Sequence, residues 1–331
     1  VTSPIVTQTM PQPFGAGLRM TDGVDQVRAS VRRLRREQGA ELVVVISHVG
    51  LPQDVQLARE VNDIDVLLSA HTHDRLHEPL VIGKTLVMQS GFSGSFLGRL
   101  DLAIANGRIT GYNHSLIPLE ESISLDGNVQ SAVDAGLLPY RSQLATVVGK
   151  TATALHRMTV LEAPMDNLIT DAYCELTGAD VAFSHGWRYG APIPAGEVTL
   201  GDLWQIIPTN PEVFTTTLTG AEIRDLLEAS LESIFAADPM RQKGGYLIRT
   251  SGISARVRIN NPPGARIQTL EIAGEACVPR RSYLVAGAGS QDLKQADKQG
   301  TGMHAIDALR RYFAAHSPVN AQLTGQKFVA I

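Results

Sequence analysis

This chain of 331 residues has few cysteines, no excess of basic over acidic residues and no long hydrophobic run. Two cysteines, Cys174 and Cys277, cannot build a disulfide framework and say little about compartment. Twenty-nine basic against 33 acidic residues give a formal net charge of −4, which excludes the basic surplus of a typical nucleic-acid-binding protein. No apolar run approaches the roughly 18 residues of a membrane span. The length predicts about two globular domains.

The first half of the chain alternates apolar strands with helical patterns, as α/β folds do. A buried strand over 41–46, a helix near 54–61 and a second buried strand over 64–68 form a βαβ unit with parallel strands. In the second half, Thr219 and Glu222 form a capping box ahead of an amphipathic helix. Further strands are expected over 84–89, 96–104, 107–118, 213–218, 254–259, 269–272 and 282–286, and a last helix over 303–313.

Three histidines follow the two strands of the βαβ unit. His48 comes directly after the first strand, and His71 and His73 come directly after the second. Ligands of parallel α/β sheets bind beyond the carboxyl ends of the strands. Three imidazoles at adjacent strand ends therefore favour a metal site over polar loop residues, although a dinuclear site also needs anionic bridging oxygens.

The motifs around these histidines resemble a known family. Residues 47–50 (Ser-His-Val-Gly) and 70–73 (Ala-His-Thr-His) resemble the last two metal motifs of calcineurin-like metallophosphoesterases, and more narrowly of the 5′-nucleotidase superfamily. Met165–Ala172 resembles the opening helix of that superfamily's C-terminal domain. The resemblance implies an α/β fold with the C-terminal part of a metallophosphoesterase sandwich over 1–118, a helical connector over 119–147 and a 5′-nucleotidase C-terminal, substrate-binding α/β domain over 148–331.

The same resemblance implies a dinuclear divalent metal centre. His48 and His71 would bind one ion and His73 the other, with manganese as the metal and zinc as the alternative. The Asp-x-His, Gly-Asp and Gly-Asn-His-Asp motifs of the family do not occur here, so the catalytic acid is unknown. Because the sequence also starts at Val1 without a signal peptide, we expect a fragment or a degenerate member that ligates the metals only in part.

Two further stretches are similar to the thiosulfohydrolase (SoxB) branch of the superfamily, 183–190 and 235–249. A planar guanidinium suits the oxygens of a sulfonate, which makes Arg188 a candidate anion clamp; a surface salt bridge is the alternative. For the aromatic candidates, Trp187 and Tyr189, core packing is the alternative to substrate contact. The substrate-binding candidates are Arg188, Arg157, Trp187, Tyr189, Gly244, Gly245 and Arg249.

The branch implies a metal-dependent hydrolase that releases sulfate from a cysteine-S-thiosulfonate. Its substrate would be the C-terminal arm of a SoxYZ-like carrier protein in the periplasm. A 5′-nucleotidase or other phosphomonoesterase is the first alternative, but the base-stacking rings of nucleotidases have no counterpart in 208–211 or 286–291. A non-catalytic anion- or peptide-binding module is the second alternative. No nucleic-acid partner and no membrane span are expected.

Overall fold

The computed structural model describes residues 1–5, 15–185, 189–289 and 297–331. The chain forms two compact units: unit 1 is Val1–Leu125 with Ala237–Gly244, and unit 2 is Asp126–Ala236 with Gly245–Ile331. Both units combine helices with strands, which confirms the predicted α/β class. Among the described residues, no helix has the length and apolar character needed to cross a membrane.

Unit 1 contains a mostly parallel sheet. Its elements are α1 (Val24–Arg36), β1 (Val44–Ile46), α2 (Leu51–Glu60), β2 (Val66–Leu68), β3 (Leu80–Ile82), β4 (Thr85–Met88), β5 (Phe96–Ala105) and β6 (Arg108–Pro118). The sheet order is β1–β2–β4–β3, with β3 antiparallel at one edge and the other three strands parallel. Strands β1 and β2 end where the sequence predicts but begin later than expected. The βαβ prediction is confirmed.

Apolar residues at helical spacing hold α1 and α2 on this sheet. Val27 and Val31 of α1 and Leu57 of α2 are buried in one cluster with Leu67 and Val87 of the sheet. Burying each such side chain contributes about 1.5–3 kcal/mol. The carboxyl ends of β1, β2 and β4 are thereby fixed side by side, and the loops that follow them start from one edge of the sheet.

A short segment from far along the chain completes unit 1. This segment, Ala237–Gly244, is called the strap below; it contains a 3₁₀ turn at Pro239–Arg241. Its Gln242 carbonyl accepts a hydrogen bond from Nε2 of Gln53 on α2 at 2.5 Å. The predicted domain boundaries put these residues in the C-terminal domain. The structure assigns them to unit 1, because contacts that no local pattern encodes hold them there.

The described residues of unit 2 form two main sheets and two hydrophobic cores. Its elements are α3 (Gly127–Leu137), α4 (Arg141–Leu144), β7 (Val147–Thr151), α5 (Pro164–Thr177), β8 (Val181–Ser184), β9 (Gly196–Thr199), α6 (Leu200–Ile206), β10 (Glu212–Thr219), α7 (Gly220–Phe235), β11 (Arg249–Ser251), β12 (Ile253–Val257), β13 (Ile267–Ile272), β14 (Glu275–Ala276), β15 (Ser282–Ala288), β16 (Gln299–His304), α8 (Ala305–His316) and β17 (Phe328–Ala330). The sheets run in the orders β11–β8–β15–β10–β16 and β14–β13–β12–β17, beside a β7–β9 pair. The predicted capping box of Thr219 and Glu222 is present at the start of α7.

The two cysteines of unit 2 are free thiols. Cys174 and Cys277 belong to the margins of different hydrophobic clusters, and neither forms a disulfide. Burial raises the pKa of the Cys174 thiol to about 12. Since the thiolate is the reactive form of cysteine, Cys174 has the character of a packing residue rather than of a nucleophile.

Candidate metal and substrate site

The parallel strands of unit 1 bring His48 and His71 together. His48 follows β1 and His71 follows β2, and their ring centroids lie 5.2 Å apart at an interplanar angle of 62°. Two imidazoles that share one ion at metal–nitrogen distances of about 2.0–2.1 Å have ring centres roughly 5 Å apart. His48 is exposed and His71 half-buried, so the pair is open to an ion. The two rings fit as two ligands of one metal ion.

His73 makes a different ring contact. Its ring stacks on Phe92 with centroids 4.9 Å apart and planes within 9° of parallel. A cavity of about 330 Å³ opens at the ends of β2 and β4, where it is lined in part by Ser69, Gln89 and Phe92. Within the described residues, no three side chains of histidine, cysteine, aspartate or glutamate gather into one metal-binding group. The assignment of His73 to a second ion stays a prediction.

The strap packs directly against His71. The Lys243 carbonyl oxygen lies 3.1 Å from His71 Nε2, at hydrogen-bond distance. Gly244 has a positive φ of 73°, and a Cβ on it would stand only 2.9 Å from the same nitrogen. A Cβ on Gly245, in contrast, would meet no described atom within 4 Å. Packing beside His71 therefore requires glycine at position 244. Substrate contact by either glycine stays a prediction.

In unit 2, two of the predicted substrate arginines share one buried carboxylate. Arg157 Nε lies 3.0 Å from Asp166 Oδ1, and Arg249 Nε lies 3.1 Å from Asp166 Oδ2. The three side chains are at most 3% exposed. The terminal nitrogens of Arg249 also donate to the carbonyls of Val160 and Thr159, at 3.0 and 2.6 Å. This geometry gives Arg249 an interior, structural role and leaves substrate contact by it a prediction.

Arg157 also borders a small cavity of unit 2. The cavity measures about 30 Å³, and Ser184, His185, Tyr189 and Thr209 contribute to its wall. Arg157 donates from a terminal nitrogen to the Ile206 carbonyl at 3.0 Å. Tyr189 is 41% exposed and supplies an aromatic ring. Two other substrate candidates, Trp187 and Arg188, lie outside the described residues.

Residues 143–289 match the family model described as "5′-nucleotidase, C-terminal domain". This region contains the arginine–aspartate group and most of the walls of the unit 2 cavity. The chain fits the 5′-nucleotidase superfamily.

Several known proteins are similar to this chain. The trifunctional nucleotide phosphoesterase YfkN of Bacillus subtilis is 26% identical over 284 residues, which are 80% of this chain and 19% of that protein. The sulfate thiohydrolase SoxB of Thermus thermophilus superposes with a TM-score of 0.93 at 28% identity, over 99% of this chain and 61% of that one. A 5′-nucleotidase precursor from the same bacterial species has the same fold, with a TM-score of 0.80 at 22% identity over 94% of this chain and 68% of that one.

The chain therefore spans about three fifths or less of YfkN and SoxB. Sequence reasoning missed two groups, Asp166 and the Lys243 carbonyl. Asp166 carried a weak signal, since it is a lone carboxylate among the apolar residues Met165, Leu168 and Ile169. The Lys243 carbonyl carried none, because a backbone group has no sequence signature.

Proposed function

We propose that the protein is a metal-dependent hydrolase of the phosphoesterase type. The observation that carries this proposal is the His48–His71 pair at the carboxyl ends of neighbouring parallel strands. It occurs in a chain whose second half matches a 5′-nucleotidase C-terminal domain. A divalent ion held by such histidines supplies a Lewis acid and activates water for attack.

Each unit would contribute a different part of the chemistry. In unit 1, His48 and His71 would hold an ion, and the bond at Lys243 would keep the His71 ring in place. In unit 2, Arg157 and Arg188 are the proposed substrate-binding cations. Manganese is the proposed metal, since the resemblance favours it, and zinc is the alternative.

We propose a thiosulfonate on a cysteine as the substrate. Water would bond to the sulfonate sulfur, and the bond between that sulfur and the neighbouring sulfur would break. The products are sulfate, a cysteine persulfide and one proton. Likeness to SoxB over 99% of the chain supports this choice. The lack of an aromatic ring in 208–211 also supports it, because a nucleobase is commonly held by stacking. The carrier partner (a SoxYZ-like arm) and the periplasmic location belong to the same proposal.

Phosphate esters are the second candidate substrate. The names of relatives such as YfkN favour nucleotides. The ring of Tyr189 lies at the unit 2 cavity and is 41% exposed. Structure and similarity therefore support the hydrolase class more strongly than either substrate.

A direct product assay separates these candidates. The protein expressed from its complete gene is incubated with Mn²⁺ and either a carrier-arm peptide bearing a cysteine-S-thiosulfonate or a set of nucleotides. We expect sulfate from the peptide, and loss of at least 100-fold of the rate in H48A and H71A or with chelator. His77→Ala, an exposed histidine of unit 1, is the control.

Phosphate release without sulfate release would show that nucleotides, not thiosulfonates, are the substrate. Peptide binding that survives chelator, with no product from any substrate, would overturn the hydrolase proposal in favour of a binding module.

A further inference from the structure

The loop that carries His71 and His73 has an unusual backbone. Both histidines have positive φ, 79° and 64°, in the left-handed region that residues with a Cβ rarely adopt. Such a conformation persists only where the surroundings hold it in place. Something outside the loop must therefore fix its shape.

Gln89, directly after β4, makes the contacts that can do this. Its Oε1 accepts hydrogen bonds from the Asp74 N–H and from Thr72 Oγ1. Its Nε2 donates to Ser69 Oγ at 2.8 Å and to the Ala70 carbonyl at 3.2 Å. The side chain is only 3% exposed, so water does not compete for these bonds.

These contacts alternate with the two histidines along the loop. One amide binds positions 69 and 70 before His71, position 72 between the histidines and position 74 after His73. A backbone carbonyl at one end and a backbone N–H at the other require a side chain with both a donor and an acceptor. Glutamate of the same size, when ionised, lacks the donor, and hydrophobic residues lack both.

We propose that Gln89 is a positioning residue that holds the backbone of the loop around both histidines, including the candidate ligand His71. It acts through the loop residues on both sides of each imidazole. Thr72 extends the network, since its hydroxyl also accepts a hydrogen bond from the Leu51 N–H of α2 at 3.0 Å. The part of this inference that concerns metal binding rests on the proposed function, whereas the part that concerns loop order does not.

The first test is metal-free amide hydrogen exchange on the 331-residue chain. Gln89→Ala removes all hydrogen bonds of the Gln89 side chain, and Gln89→Glu keeps the size and the acceptor but loses the donor. We expect the Thr72 amide, whose acceptor is the Ala70 carbonyl that Gln89 Nε2 also binds, to exchange at least 10-fold faster in both variants. The Asp74 amide loses its acceptor only in Q89A and should exchange at least 10-fold faster in that variant. Thr85→Val is the matched control, because it lies in β4 away from the loop and removes one buried hydrogen bond, from Thr85 Oγ1 to the Ile64 carbonyl. Loop exchange unchanged in Q89E, or equal in Q89E and T85V, would overturn the inference.

The second readout is Mn²⁺ titration followed by paramagnetic broadening of the imidazole resonances. We expect 10- to 100-fold weaker binding in Q89E and Q89A, the range typical when a partner that orients a metal ligand is removed, and unchanged binding in T85V. Wild-type and Q89E affinities that coincide would overturn the positioning role. Absence of Mn²⁺ binding by the wild-type chain would count against the proposed metal centre instead, and the exchange result would then decide on Gln89.

Discussion

Gly244 and Gly245 are adjacent and chemically identical, yet their surroundings differ. Both have positive φ, 73° and 88°. Only a Cβ on Gly244 would press on His71 Nε2. Replacing either glycine by alanine costs about 1–2 kcal/mol of backbone strain, because a Cβ is disfavoured in the left-handed region. The steric contact with the imidazole is therefore specific to position 244.

This difference predicts unequal effects of two alanine substitutions. Gly244→Ala should displace the His71 ring, shift its imidazole ¹⁵N resonances and weaken Mn²⁺ binding at least 10-fold. Gly245→Ala should lower the free energy of unfolding through the same backbone strain as Gly244→Ala, but it should leave the His71 resonances in place. Imidazole ¹⁵N spectra and urea denaturation measure the two effects. Identical spectra for the two variants would show that the strap does not restrain His71.

At the scale of elements, helix α5 organises the interior of unit 2 through polar residues in and before its first turn. Asp166 receives the two buried guanidiniums. Just before the helix, Glu162 accepts hydrogen bonds from Asn167 Nδ2, from the N–H and hydroxyl of Thr324 and from the Gly325 N–H, at 2.7–2.9 Å. Glu162 thereby ties a loop near the end of the chain to the start of α5.

The Glu162 clamp predicts a specific pH dependence. Burial opposes its ionisation, but the four hydrogen bonds outweigh burial and hold the pKa of the carboxyl below its ordinary value of 4.5. A carboxyl with a lowered folded-state pKa stabilises the fold above its unfolded-state pKa, and this stabilisation is lost as pH falls through the folded-state value. Glu162→Gln should therefore lower the free energy of unfolding at pH 7 by about 1–3 kcal/mol and flatten its decline below about pH 4.5.

Urea denaturation between pH 3 and pH 7 measures both effects. Glu197→Gln is the control, since Glu197 is 62% exposed and pairs with Lys150 only at 3.8 Å. Parallel curves of unfolding free energy against pH for wild type and E162Q would contradict a stabilising role of the hydrogen bonds to Glu162.

Elements of this kind differ in how far the sequence predicts them. The capping box at Thr219 and the strands before His48 and His71 depend on local patterns, and the structure confirms them. The nearness of His48 and His71 followed from parallel strand ends. The shared pairing of Arg157 and Arg249 with Asp166 could not be predicted, because Arg249 is far along the chain from Asp166 and meets it only after the sheets have formed.

At the scale of the whole molecule, the chain forms two units with separate hydrophobic cores. All three candidate metal ligands belong to unit 1. A ligand that binds only the folded form of one unit stabilises that unit by RT ln(1 + [L]/Kd), about 2.7 kcal/mol at a concentration of 100 Kd.

Calorimetry should therefore resolve two transitions, of which Mn²⁺ raises one. We expect chelator to reverse the shift, and the double variant H48A/H71A to abolish it while H77A retains it. The unit 2 transition should be the same with and without metal. A Mn²⁺ shift that persists in H48A/H71A would show that the ion binds elsewhere.

The strap has a consequence for how such proteins diversify. Eight residues that pack with unit 1 are encoded between two segments of unit 2. A gene exchange that replaces everything after Leu125 would therefore also replace the neighbours of His71 with those of the donor. Changes in the second half of the gene can therefore alter the surroundings of a histidine encoded in the first half. A working hybrid must keep a glycine at position 244 and a strap that presents the carbonyl of position 243 to His71.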